Sequence, residues 1–230
     1  MQSPPQLSMS IHRLDEAFLE RTIDCVSKLY PRDNLIARAL GFTPQDYRPV
    51  AERACLAALS ADMGLIVADK GTGEVLGFLF CADLIDHFDA VAAMALHTDE
   101  RLWAWSEIHT RLLGDYEQRF GRPRARGEIL YFSITALAPQ LHGRSLTPSL
   151  VHRATIEFGV QRGYPTGVGI ATHPRSRKLV SGAIGVTWFS ELAFADLSDP
   201  RLRTIDLAAR ILAITFPSDI ASGVDALFHR

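Results

Sequence analysis

The stretch ILYFSITAL, Ile129 to Leu137, is followed by APQLHGRSLTP, Ala138 to Pro148, and then by SLVHRATIEFGVQ, Ser149 to Gln161. The first part is an unbroken run of apolar, aromatic and β-branched residues, which reads as a strand. Pro139 and Gly143 interrupt it, and the third part carries apolar residues at helical spacing before Gly163. A second β-prone run, Gly167 to Ala171, comes next. Strand, glycine-containing loop, helix and strand in that order point to an α/β chain.

The same periodicities extend outward. Ala17, Phe18, Ile23, Val26 and Leu29 recur at helical spacing between Asp15 and Tyr30, and Pro31 is expected to stop that helix. Thr43-Pro44 forms an N-cap and first-turn pair for a second helix whose apolar face runs from Tyr47 to Leu59. Leu65 to Ala68 and Val75 to Phe80 flank Asp69-Lys70-Gly71-Thr72-Gly73, which predicts a hairpin. Leu102, Trp105, Ile108, Leu112, Tyr116 and Phe120 mark a long helix from Glu100, and Gly121 to Gly127 breaks it. Beyond Ala171 the pattern predicts a helix from Pro174 to Gly182, a strand at Val186 to Leu192 and another at Ile211 to Phe216. Residues 1–10, with Pro4 and Pro5, read as a flexible leader, and 11–230 as a single domain without repeats or linkers.

With 47% apolar and 22% charged side chains, the chain is neither disordered nor a small disulfide scaffold. No apolar run is long enough to span a bilayer, and Met1 to Ser10 lacks the basic and apolar regions of a secretory signal, so a cytoplasmic protein is expected. Cys25, Cys55 and Cys81 are far apart and set among apolar residues, which suits reduced core thiols and no metal frame. The 24 basic and 26 acidic residues leave no charge excess to attract nucleic acid or an anionic membrane.

A loop entering a helix aims unpaired backbone N–H groups at one spot, and the helix dipole adds partial positive charge there. That combination suits a pyrophosphate. Gly143 allows close approach, the hydroxyls of Ser145 and Thr147 can donate to phosphate oxygens, and Arg144 or a protonated His142 adds charge. The same segment also suits a plain strand-to-helix turn.

The order of elements, with this loop at its centre, resembles the GNAT superfamily of acyl-coenzyme A dependent N-acyltransferases. Its pattern V-x-P-x-x-R-G-x-G-x-G/A aligns without a gap with Leu137 to Thr147, agreeing at Leu137, Pro139 and Gly143 and at the apolar pair Leu150-Val151. His142, Ser145 and Thr147 replace arginine or glutamine, glycine, and glycine or alanine. A second register, starting at Gln140, also puts Gly143 and Ser145 at glycine positions. The resemblance implies a mixed, mostly antiparallel central sheet with helices on both faces, and coenzyme contacts from Leu137, His142, Gly143, Arg144, Ser145, Leu146, Thr147 and His173.

Upstream, Asp33-Asn34-Leu35 and Leu40-Gly41 resemble the acid-Pro-Leu and Leu-Gly signature of the arylalkylamine N-acetyltransferase branch. The acid there is a general base, so the resemblance implies that role for Asp33, through a bridging water because aspartate is shorter than glutamate. Asp33 and Asn34 equally suit an Asx turn. The family often places a tyrosine as general acid on the helix after the fifth strand, where this chain has Val180. The arylalkylamine branch uses serines on that helix, which implies Ser176 and Ser181. Period-two alternation puts Tyr131 and Ser133 on one face of the central strand, as candidates to line an acceptor pocket or to fill the core. Arg122, Arg124 and Arg126 open the strand at the end far from the loop, and of Trp103 and Trp105 at most one is well buried.

The resemblance thus implies transfer of an acyl group, acetyl or longer, from coenzyme A to a primary amine of a small molecule by direct attack, with no metal, in a monomer or homodimer. The departures in the loop at Ser145 and Thr147, the shortened acid at Asp33 and the missing tyrosine at Val180 support the alternative of a GNAT-fold acyl-coenzyme A sensor or interaction module without transfer.

Overall fold

The structure, a computed structural model, describes residues 8–174, 176–177 and 186–215. Seven strands form one sheet in the order β1-β2-β3-β4-β5-β7-β6. They are β1 (Met9–Arg13), β2 (Gly64–Asp69), β3 (Val75–Asp83), β4 (Ile129–Leu137), β5 (Thr166–Ala171), β6 (Val186–Ala193) and β7 (Ala208–Thr215). Neighbours are antiparallel except β4 and β5, which run parallel. Helix α1 (Leu19–Asp33) is followed by the short α2 (Leu35–Ala39) and by α3 (Pro44–Ser60); α4 (Leu84–Ala95) and α5 (Glu100–Phe120) separate β3 from β4. Helix α6 (Leu146–Ala154) continues as a π-turn, Thr155–Val160, and carries the chain from β4 to β5; the single turn α7 (Pro200–Arg203) precedes β7. The mixed, mostly antiparallel sheet with covering helices is the architecture the sequence predicts.

Several boundaries move for physical reasons. Met9 and Ser10 belong to β1, since they pair with Asp69 and Ala68, so the expected leader ends before residue 9; residues 1–7 lie outside the described ones. Pro31 sits inside α1 and the helix runs on to Asp33. It ends because Asn34 turns extended and caps α2, its side-chain oxygen accepting from the N–H groups of Ile36 (2.9 Å) and Ala37 (3.0 Å). Thr43 and Asp46 form a reciprocal capping box at the start of α3, as the Thr43-Pro44 pair predicts. Helix α4 has no counterpart in the sequence reading. The helix expected from Pro174 to Gly182 falls largely outside the described residues, as does the tail after Thr215.

The core binds the helices to the sheet through aromatic contacts. Tyr30 of α1, Tyr47 of α3 and Trp105 of α5 meet in a triangle of rings, Tyr30 stacking on the other two at centroid distances of 5.5 and 5.7 Å and those two lying 6.2 Å apart. Trp105 is buried and Trp103 is half exposed, as adjacent positions on a helix require. Cys25, Cys55 and Cys81 are free and buried, and desolvation pushes the Cys25 and Cys55 thiols up to about 12. Arg126 pairs with Asp86 and Arg122 with Glu117, so these arginines hold the surface together at the start of β4. Among the described residues no helix is long and apolar enough to cross a membrane.

Asp83 ties four elements together at the end of β3. Its buried carboxylate caps α4 by accepting from the Ile85 N–H (2.9 Å). It also accepts from the Gly127 N–H (2.7 Å), just before β4, and from the Tyr164 hydroxyl (3.1 Å), just before β5. Asp83→Ala leaves these donors without partners at about 1–3 kcal/mol for each that stays buried. We expect the melting temperature to fall by roughly 6–12 °C, with Asp83→Asn recovering part of the loss, in thermal unfolding.

A histidine pair lies under the central strand. The Trp105 indole N–H donates to His109 Nε2 (3.1 Å), so neutral His109 carries its proton on Nδ1 and donates to His87 Nε2 (3.0 Å). The His87 ring stacks on Tyr131 at 3.7 Å. Burial holds both histidines neutral, pushing His109 down to about 4 and His87 well below its ordinary value. Since the unfolded chain takes up these protons near pH 6.5, while the folded one takes up that of His109 only near pH 4 and that of His87 well below its ordinary range, stability is complete above 6.5 and falls as pH drops toward 4. His109→Gln, which can still accept from Trp105, should flatten this slope in melting curves recorded from pH 7 to 4.5.

Candidate active site

The parallel pair β4–β5 is short. Ile129, Leu130, Tyr131 and Phe132 pair with Thr166, Gly167, Val168 and Gly169, and then the strands part. The parting coincides with a bulge. Phe80 of β3 faces Ile134 while Cys81 faces Phe132, so Ser133 is the extra residue in β4. Beyond it, the β5-facing edge of β4 has no strand partner, and a cleft of about 800 Å³ opens there. Its walls come from α1 and α2, from β3 and β4, from the loop into α6, and from the end of β5 through Ser176.

Past Leu137 the loop turns through two left-handed residues, Gly143 (φ +81°) and Ser145 (φ +54°), which are the positions where the GNAT pattern has glycine. Ser145 adopts this geometry at a steric cost that glycine avoids. It does not cap α6 with its side chain; instead Ser149 donates its hydroxyl to the Ser145 carbonyl (3.0 Å). Within the described residues the backbone N–H groups of Gly143, Ser145, Leu146 and Thr147 therefore have no partner, and they lie together at the positive end of α6. His142 is held back, its Nε2–H donating to the Leu137 carbonyl (3.0 Å). Gly77 of β3 makes this arrangement possible: a Cβ there would strike the Leu137 side chain and come within 3.0 Å of the Ala136 carbonyl oxygen.

Of the residues singled out from sequence, the cleft collects Asp33, Ser133, Leu137, His142, Gly143, Ser145, Leu146, Thr147, His173 and Ser176. Arg144 is exposed and does not line it. Tyr131 is buried against His87 on the helix side, because the Ser133 bulge interrupts the alternation that would have put both side chains on one face. Ser181 lies outside the described residues. Asp33, the last residue of α1, is gripped by its neighbour: Arg32 donates to both carboxylate oxygens at 2.7 Å. This pairing raises the Arg32 guanidinium further above its ordinary value. The sequence reading passed over Tyr30, Arg32, Arg38, Phe80 and Phe132, which also line the cleft. Their only sequence signal is nearness to Asp33 or to the bulge. No group of acidic, histidine or cysteine side chains suited to a metal is found among the described residues.

No protein-family model and no curated protein sequence matches the chain. Its structure, however, has many relatives. Arylalkylamine N-acetyltransferase 2 from Aedes aegypti superposes with a TM-score of 0.75 over 91% of this chain and 99% of that one, at 14% identity. The fold is the GNAT fold. The C-terminal condensation domain of Ebony, solved with beta-alanyl-dopamine, gives a TM-score of 0.73 at 14% identity, covering 92% of this chain and 100% of that domain. Drosophila melanogaster polyamine N-acetyltransferase, which forms N-acetylagmatine, gives 0.72 at 14% identity over 91% and 100%. The expectation of a GNAT fold like that of the arylalkylamine branch is met.

The role of Gly77 can be tested directly. Gly77→Ala must displace Leu137 or the Ala136 carbonyl, and should destabilise the protein by about 1–3 kcal/mol. Added to a Leu137→Ala background it should cost measurably less, because the clash is then partly removed; equal costs in the two backgrounds, measured by urea unfolding, would show that β3 and the loop are not coupled.

Proposed function

We propose that the chain is an acyl-coenzyme A dependent N-acyltransferase acting on a primary amine of a small molecule. The observation that carries this reading is the parting of β4 from β5 at a bulge, directly upstream of a helix start with unpaired N–H donors. Coenzyme A supplies a thioester-activated acyl group on a long arm with two amides and a pyrophosphate. The unpaired edge of β4 offers alternating donors and acceptors to such an arm, and the N–H groups of Gly143, Ser145, Leu146 and Thr147 suit the pyrophosphate.

In this reading the edge N–H groups of β4 near Ser133 polarise the thioester carbonyl. The amine nitrogen forms a bond to the carbonyl carbon, and the carbon–sulfur bond breaks. Asp33 takes the amine proton through a water, since Arg32 occupies one lone pair on each oxygen and leaves others free. Ser176 donates a proton to the departing thiolate and recovers one from solvent. Holding the reactants side by side in the cleft supplies much of the rate.

Acetyl-coenzyme A at 100 times its dissociation constant should stabilise the protein by about 2.7 kcal/mol, roughly 5–10 °C. Thiol release should then follow with an amine. Asp33→Asn should lower kcat about tenfold or more while the KM for acetyl-coenzyme A stays within about twofold. Absence of any thermal shift would sink the coenzyme reading, and a shift without thiol release from any amine would sink transfer.

A further inference from the structure

The α1–α2 wall of the cleft has an unusual charge content. Asp33 is the only acidic side chain lining the cleft among the described residues, and Arg32 neutralises it in a bidentate pair. Arg38 of α2 lines the same wall and is solvent-exposed, and among the described residues its side chain makes no hydrogen bond or ion pair. The wall thus presents one uncompensated positive charge and no free negative one. A second ammonium on an acceptor would find no partner and would face a like charge.

The unpartnered N–H cluster for a pyrophosphate lies elsewhere. Arg32, Asp33 and Arg38 line the cleft together with Ser133 at the bulge. The N–H cluster begins beyond Leu137, four residues past the bulge, or roughly 13 Å in an extended strand. Arg38, on α2, belongs to a different element from the loop donors that suit the pyrophosphate. Leu35, Phe80 and Phe132 add apolar surface to the same part of the cleft.

We propose that the acceptor is an amine bearing a carboxylate, an amino acid with an apolar or aromatic side chain, and that Arg38 is the residue that selects it by pairing with that carboxylate. This rests on the transferase reading of the cleft and narrows its substrate class, against both plain arylalkylamines and polyamines. An Arg–carboxylate pair within a partly desolvated cleft has the geometry and strength for such a choice.

The test compares acceptors that differ only in charge: L-tyrosine, tyramine and agmatine, with acetyl-coenzyme A as donor and thiol release as readout, for the wild type, Arg38→Gln and Arg38→Glu. The wild type should favour L-tyrosine over tyramine at least tenfold in kcat/KM. Arg38→Gln should lower the L-tyrosine to tyramine ratio at least tenfold, and Arg38→Glu should lower it further and raise agmatine relative to tyramine. A wild-type ratio of one or less, or a ratio unmoved by Arg38→Gln, overturns the proposal. So does a change confined to the KM for acetyl-coenzyme A, which would assign Arg38 to a coenzyme phosphate. If no acceptor releases thiol, the transferase reading fails, and calorimetric titration with N-acetyl-L-tyrosine and N-acetyltyramine in the presence of coenzyme A decides the selectivity by itself. Tenfold tighter binding of the carboxylate form, lost in Arg38→Gln, supports it, and equal affinities overturn it.

Discussion

The separation of β4 from β5 after four paired residues is the constraint on which the rest of the site depends. A parallel pair continued to the end of both strands would seal the space that the cleft occupies. Two features set where the strands part. Asp83 locks the near end by binding the backbone before β4 and the tyrosine before β5, so the pair cannot slide. The bulge at Ser133 then bends β4 away, because an extra residue increases local twist and turns the strand from its neighbour. Opening at one end requires clamping at the other.

The second wall of the cleft is referenced to the same strand. Asp33, Arg32 and Arg38 belong to α1 and α2, whose position is set by Tyr30 packed against both Tyr47 and Trp105. Trp105 donates to His109, His109 to His87, and His87 stacks on Tyr131, one residue before the last β4–β5 pair. A chain of ring contacts and hydrogen bonds therefore fixes the charged wall relative to the point where the strands part. Such support fixes the spacing of the two walls of the cleft. It also requires the histidines to stay neutral, since a protonated His109 could not accept from the indole.

Much of this was legible in the sequence where the signal was local. ILYFSITAL gave β4 its observed bounds, because the apolar run is bounded by Gly127 and Pro139, and Thr43-Pro44 announced α3 through its own capping chemistry. Helix α4 was missed because its cap, Asp83, follows an apolar run that reads as continued strand. The five-residue α2 is too short to show a period. Tyr131 and Ser133 parted company because a bulge depends on the register of the partner strand, which one strand's alternation does not encode. Asp33 was singled out and lines the cleft, yet its pairing with Arg32 was not foreseen: adjacent residues in a helix point apart, and these two meet because α1 ends there.

The phosphate-loop region shows how a departure in sequence can leave geometry intact. Ser145 stands where glycine is usual in the GNAT pattern, and the backbone still takes the left-handed conformation that glycine would have taken freely. A non-glycine residue is held in that region only when its surroundings over-determine it. Here they do so from both sides, through the His142 side chain anchored to the Leu137 carbonyl and through Ser149 anchored to the Ser145 carbonyl. The shape of the loop is therefore imposed by hydrogen bonds that replace the permissiveness of glycine. Among the described residues the N–H groups of Ser145, Leu146 and Thr147 remain without partners, and all three residues line the cleft. Motif matching counts Ser145 as a loss, whereas the backbone around it retains the arrangement of donors on which anion binding at a helix start depends.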